Sequence, residues 1–310
     1  MKLKGTGIKN RKKEWRRDWQ LWVMALPGLL WVIIFCYTPM YGIQLAFKDY
    51  DFSKGLTGGN WAGLQYFKQY FISPLFGTTM KNTFVIALTS IVVGFPMPVI
   101  LALAINQLKK GLPRKVLQTV VYMPYFISTV VVVAMINILC SPTNGIITAL
   151  LRNLYVIGEN TNILGSPKTF VPLYVISGVW QSCGWNSIIY LAALSSADLE
   201  LYDAAKVDGA NRWQMIRYVD LPTLAPTIII LLIMSMGSIL SVGFEKTFLM
   251  QNTLNLGVSE VIQTYVYKIG IMSNQISFST AVGLFNNVIN FTCLIAVNQI
   301  AKKKADISLM

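Results

Sequence analysis

Apolar residues in this chain fall in long runs, not in the three-and-four spacing of a soluble amphipathic helix or the alternation of a strand. Six runs are long enough to cross a bilayer, for which about 20 apolar residues suffice. Their cores lie near 21–42, 82–107, 117–140, 170–194, 223–245 and 279–300. The pattern predicts an all-α integral membrane protein with six transmembrane helices over 21–300. A basic tail precedes them at 1–20 and a short tail follows at 301–310. Between the fourth and fifth runs the pattern changes. Residues 195–222, SSADLELYDAAKVDGANRWQMIRYVDLP, are charged and rich in helix formers. Ser195 and Asp198 make a capping pair ahead of a helix running to Val207. Asp208-Gly209 closes that helix, because glycine takes the left-handed conformation. Asn211 caps a second short helix, and Leu221-Pro222 is expected to end it, since proline pushes the preceding residue out of helical geometry. The expected unit is helix, tight turn, helix. Ala204 and Ala205 leave one face bare enough for another backbone to approach closely.

Composition agrees with a membrane protein. The 310 residues are 54% hydrophobic and 13% charged, against roughly 25% charged in soluble domains. The first run is longer than the apolar region of a cleaved signal, about 7–15 residues, and has no small-x-small site close behind it, so it reads as a retained span. The net charge of +13 is compatible with nucleic acid, but its placement argues for a membrane. With the N-terminus inside, 18 of the 26 Lys and Arg residues fall in inner segments and 8 in outer ones, as the positive-inside rule requires. Both termini and the 195–222 loop are then cytoplasmic, where ATP is. Lys2 to Arg17, with Trp15 and Trp19, read as an anchor against anionic lipid, and no nucleic-acid partner is expected.

Candidate chemistry is sparse. There is no histidine, and Cys36, Cys140, Cys183 and Cys293 have no metal or disulfide spacing and read as buried thiols. No GxxxxGK[ST] loop exists, so any ATP-driven step must draw on another chain. Asp198, Glu200, Asp203 and Asp208 read as contact or solvated acids, and no enzymatic site or bound cofactor is expected. The fourth run is unusually polar for lipid: Trp180, Gln181, Ser182, Gly184, Trp185, Asn186, Ser187 and Tyr190. Such a wall suits a sugar, whose ring faces stack on aromatics while its hydroxyls bond to amides. It equally suits hydrogen bonding between helices. Asn286, Asn287 and Asn290 in the sixth run carry the same two readings, with 286 and 290 on one face. Glu245 and Lys246, at the outer end of the fifth run, read either as functional groups at membrane depth or as an interfacial ion pair. No charge is expected deep in any span, which favours a neutral solute over an ion, amino acid or phosphate. Kinks are expected at Gly94-Phe95-Pro96-Met97-Pro98 and at Pro124.

Asp203-Ala204-Ala205-x-x-Asp208-Gly209-Ala210, with Pro222 twelve residues further on, resembles the EAA loop of permease subunits in binding-protein-dependent ABC importers. Asp203 stands where the family usually has Glu, so its carboxylate reaches one methylene less far. Pro27 to Gly42, Asn60 to Phe67 and Pro124 to Ser128 resemble sequences of the carbohydrate branch, the maltose-permease-like oligosaccharide and polysaccharide permeases. The resemblance implies a type I ABC importer permease (MetI-like) architecture in a bacterial cell membrane, with a cytoplasmic coupling helix. Asp203, Ala204, Ala205, Asp208, Gly209, Ala210 and Pro222 would form the element that docks on an ATPase subunit. Trp180 and Trp185 would correspond to sugar-contacting aromatics. The implied partners are a second permease chain, usually a homologous different one, two ATPase subunits carrying ATP and Mg, and an extracellular solute-binding protein. The rival readings are the same architecture for an amino acid or phosphate, and an ATP-independent secondary carrier. A carrier would show inverted repeats with buried ionisable groups, and neither is found.

Overall fold

The computed structural model describes residues 19–305 apart from 56, 57, 110 and 160. The basic tail expected over 1–20 therefore lies outside the described residues except for Trp19 and Gln20. The last five residues of the C-terminal tail lie outside them too. All named elements are helical; one isolated antiparallel bridge pairs Lys48 with Trp61.

Helix α1, Trp19–Phe47, opens the chain. It is apolar on every side, and none of Trp19–Val32 is buried within the chain. A helix of that kind has its apolar surface satisfied by lipid or by another subunit. Its last turns, Thr38–Phe47, lie against the final helix and bury Leu45 and Ala46. Next come α2, Gln65–Ile72, and the 33-residue α3, Pro74–Asn106. Where a kink is expected around Pro96, α3 runs on as one helix with a π turn at Ser90–Gly94, since a wider turn makes room for a ring that clashes with the preceding carbonyls.

At Pro124 the outcome is larger than a kink. Helix α4, Leu112–Phe126, and α5, Thr129–Leu139, meet at 96°. Ile127 and Ser128 are extended there, and the Ser128 hydroxyl accepts from the Val131 amide at 3.4 Å to cap α5. The third run is thus a right-angled pair. After α6, Ile146–Asn153, comes α7, Pro167–Ser195, 29 residues long. It buries Phe170, Tyr174, Val175, Gly184, Ser187, Tyr190, Leu191 and Leu194. Gly184 permits closest approach: a Cβ there would stand 1.9 Å from the Val121 carbonyl of α4. The charged stretch forms α8, Leu199–Val207, followed by α9, Arg212–Met236. The fifth run does not reach 245 as one helix; it stops at the turn after Met236. A separate α10, Phe244–Met250, then precedes α11, Ile262–Tyr267, and the closing α12, Ile276–Ala305.

Four helices among the described residues are long and apolar enough to cross a bilayer: α1, α3, α9 and α12 over Ile276–Lys303. The α4–α5 pair makes five if counted as one span. The fourth predicted run, 170–194, lies in α7, whose polar middle lowers its apolarity. Its surroundings explain this: α7 packs against α3, α4 and α9, so protein covers much of what lipid would otherwise touch. Two apolar clusters hold that arrangement. Ile86, Val133, Phe170, Val175, Leu240 and Val261 form one; Val99, Ala102, Ile105, Tyr190, Leu194 and Leu224 form the other, toward α8.

Candidate functional site

Two places carry the residues singled out in the sequence. The first is α8. Asp198, not Ser195, is its N-cap, accepting from the Glu200 amide at 2.9 Å. Ser195 belongs to α7 and bonds back to the Leu191 carbonyl. At the other end Gly209 has φ +75°. Its amide donates to the Lys206 carbonyl at 3.0 Å and that of Ala210 to the Ala205 carbonyl at 2.9 Å. These two bonds are the Schellman closure that a left-handed glycine makes possible. Asn211 starts α9 with a reciprocal capping box to Gln214. Asp203, Ala204, Asp208 and Gly209 are exposed, Ala205 and Ala210 partly so. Asp203 pairs with Lys206 at 2.9 Å on that open surface.

Pro222 does not end the second helix. A π turn at Ile216–Asp220 immediately precedes it, and the helix continues through it to Met236. Proline at the first turn after a wide turn loses no needed donor. That same turn buries Asp220 completely. Its carboxylate accepts from the Tyr202 hydroxyl of α8 at 2.5 Å, from Gln107 Nε2 at 3.0 Å and from Asn106 Nδ2 at 3.4 Å. One side chain of α9 therefore ties α8 to the end of α3. Sequence reasoning missed it; the available signal was a lone acid between Val219 and Leu221, at the head of an apolar run. Burial, then the bond to Asp220, pushes the Tyr202 phenol up to about 12.

The second place is a cavity of about 850 Å³ between α3, α7 and α9. Trp185, Asn186 and Tyr190 line it together with Tyr174, Gly178 and Ser182. Trp185 stacks on Tyr125 with centroids 4.6 Å apart and planes 4° from parallel, and meets Phe126 edge-on. The α4–α5 corner thus supplies part of an aromatic platform. Gln181 and Trp180 are not among the lining residues. Gln181 donates to the Ile127 carbonyl at 2.9 Å, holding that corner to α7, and Trp180 is 47% exposed. Asn286 and Asn287 line a smaller cavity of about 470 Å³, and the Asn286 Oδ1 is buried with no hydrogen-bond partner among the described residues. Asn290 shares the buried face with Asn286, but it is spent on structure: it accepts from the Leu240 amide and donates to Ser241.

Glu245 and Lys246 do not pair. Glu245 is exposed, whereas Lys246 turns inward and is 8% exposed. Lys246 is thus a buried cation carried on the short α10 and not on one of the long apolar helices. Among the described residues no group of acidic or thiol ligands is arranged to hold a metal ion.

Residues 94–305 match the family described as the binding-protein-dependent transport system inner membrane component. The chain belongs to that family. Protein LplB of Bacillus subtilis (strain 168) is 40% identical over 288 residues, 93% of this chain and 90% of LplB. The polygalacturonan/rhamnogalacturonan transport system permease protein YteP of the same organism is 39% identical over 283 residues, 91% and 88% of the two chains. A chain from the crystal structure of a bacterial ABC transporter involved in the import of the acidic polysaccharide alginate superposes with a TM-score of 0.86 at 37% identity, covering 96% of this chain and 99% of that one. The same score and coverage hold for that transporter in complex with an alginate pentasaccharide-bound periplasmic protein. The fold is accordingly MetI-like. The permease is a membrane component of an importer, not the subunit that hydrolyses ATP.

Proposed function

We propose that this permease carries an oligosaccharide across a bacterial cell membrane in an ABC importer. Six crossings make up its transmembrane part: α1, α3, the α4–α5 pair, α7, α9 and α12. Both termini and α8 face the cytoplasm, as the basic bias of the inner segments supports. Helix α8 docks on an ATPase subunit through Asp203, Ala204, Ala205, Asp208, Gly209 and Ala210. A second permease chain, a second ATPase subunit and an extracellular binding protein complete the assembly. ATP and Mg bind to the ATPase subunits.

The observation that carries this reading is the link through Asp220. An exposed, sharply capped helix is tied by one buried carboxylate to α3 and α9, the helices that wall the aromatic cavity. Motion of α8 is thereby passed to the cavity. The sugar assignment draws on the aromatic and amide wall and on the names of the relatives. Purification of the permease from native membranes is expected to bring down two ATPase subunits, a second permease and a binding protein. The reconstituted assembly is expected to accumulate oligosaccharide only with ATP. Uptake by the permease without nucleotide, or purification with no ATPase partner, would overturn the reading.

A further inference from the structure

The buried amine of Lys246 has no use in the scheme above. Its Nζ donates to the Tyr174 carbonyl at 2.8 Å and lies 4.7 Å from the centroid of the Tyr174 ring. Among the described residues it has no carboxylate partner; the ion pairs there join Lys54 to Asp51, Lys206 to Asp203 and Lys268 to Glu260. An ammonium carries three donors, and here a single carbonyl and a ring face answer them. Removing a charge from water without an opposite charge is costly, and within a membrane bundle such groups mark function.

Position indicates which function. Tyr174 and Gly178 both line the larger cavity, and the amine rests against both. A Cβ on Gly178 would stand 3.2 Å from Nζ, so at that point a bare glycine, and no side chain, stands between the amine and the cavity, whose lining does not include Lys246 itself. No charged residue is among those lining the cavity, which is walled instead by groups such as Trp185, Tyr190, Asn186 and Ser182. Lys246 thus supplies one fixed positive charge behind a wall suited to sugar rings and hydroxyls.

We propose that Lys246 is a specificity residue that reads the carboxylate of an acidic sugar, so that the permease carries oligosaccharides containing uronic acid units. This rests on the sugar-import reading above. A monovalent ammonium matches one carboxylate, and the charge-assisted bond supplies the partner the folded chain lacks.

The test uses the assembled importer in proteoliposomes, with trisaccharides of galacturonic and of mannuronic acid and the carboxyl-reduced form of each. Wild type is expected to import at least one acidic sugar. Lys246→Gln is expected to lower that uptake about tenfold or more, to leave the carboxyl-reduced sugar within about twofold of wild type, and Lys246→Arg to retain most of the acidic uptake. Because the binding protein also selects, the same sugars are titrated onto the detergent-purified complex without it. There the acidic sugar is expected to raise the Tm of wild type but not of Lys246→Gln. If Lys246→Gln does not assemble, Lys246→Met, which keeps the unbranched stem and drops the charge, should produce the same selective loss. Equal loss of both sugars would make Lys246 a structural buttress and overturn the proposal. So would unchanged acidic uptake, equal stabilisation of wild type and variant, or a wild type that takes only carboxyl-reduced sugars while remaining a sugar importer. A wild type that imports no sugar despite bound ATPases would instead defeat the sugar-import reading itself.

Discussion

Asp220 shows how much one side chain organises here. It is a fully buried carboxylate held by three neutral donors, and the shortest of those bonds comes from Tyr202 on the exposed helix. Losing the Tyr202 hydroxyl should cost about 1.5 kcal/mol, at the low end for a bond to a charged group because the phenol is partly exposed. Tyr202→Phe should therefore lower the thermal midpoint of the detergent-solubilised permease by a few degrees. The effect has a pH signature. The folded Tyr202 pKa is raised from 10 to about 12, so its contribution is fully present below pH 10 and lost as pH rises through 12. Scanning the midpoint of wild type and Tyr202→Phe from pH 8 to 12 should show a gap that is constant up to about pH 10 and narrows progressively above it. A gap already closed at pH 9 would mean that the bond to Asp220 does not exist in solution. Glu245 and Lys246 teach a related lesson. They are neighbours in sequence, yet adjacent positions on a helix point about 100° apart, so one faces outward while the other enters the bundle.

At the level of elements, capping chemistry was legible and the effect of proline was not. The Asp208-Gly209 stop and the Asn211 start are local hydrogen-bond patterns, and local residues suffice to specify them. Pro96 and Pro222 were read as disturbances, but a π turn ahead of each lets the helix run on, and nothing local in the sequence announces that compensation. Pro124 instead produced a right angle, because Ser128 caps a new helix two residues beyond the turn ending at Phe126. The turn after Val207 gives the sharpest test. Gly209 has open space around its Cβ position, so a substitution there meets no clash and suffers only the left-handed backbone, about 1–2 kcal/mol for an ordinary residue. Gly209→Val is expected to lose co-purifying ATPase subunits while the circular dichroism of the bundle stays unchanged. Gly209→Asn, which tolerates that conformation, should keep most of them. Asp203→Lys, which sets two like charges side by side on α8, should weaken the same association. Normal recovery of ATPase and normal transport in Gly209→Val and Asp203→Lys would remove α8 from the docking role.

For the whole molecule, long apolar runs located the helices, but run length carries no information about direction or neighbours. That is why α7 is so polar: it lies among other helices, and several of the polar residues that make a poor lipid face line the cavity instead. It is also why Trp180 and Trp185, alike in sequence, part company in space. Trp185 lines the cavity and stacks on Tyr125, whereas Trp180 does neither. Trp185→Ala is expected to reduce sugar uptake about tenfold, the upper end of the about 0.5–1.5 kcal/mol of an aromatic contact, with ATPase association intact. Trp180→Ala should stay within about twofold. Equal uptake by the two variants would detach the cavity from the transport route. The wide turn at Ile216–Asp220 has one more consequence. It houses an extra residue relative to a regular coil, so deleting one residue there would close the turn to a regular coil with both flanks still in phase, whereas the same deletion elsewhere in α9 would rotate everything upstream by about 100° about the axis. Only the second deletion would present α8 in a different compass direction, so the wide turn is the one place in α9 where a lost codon is expected to spare the aim of α8.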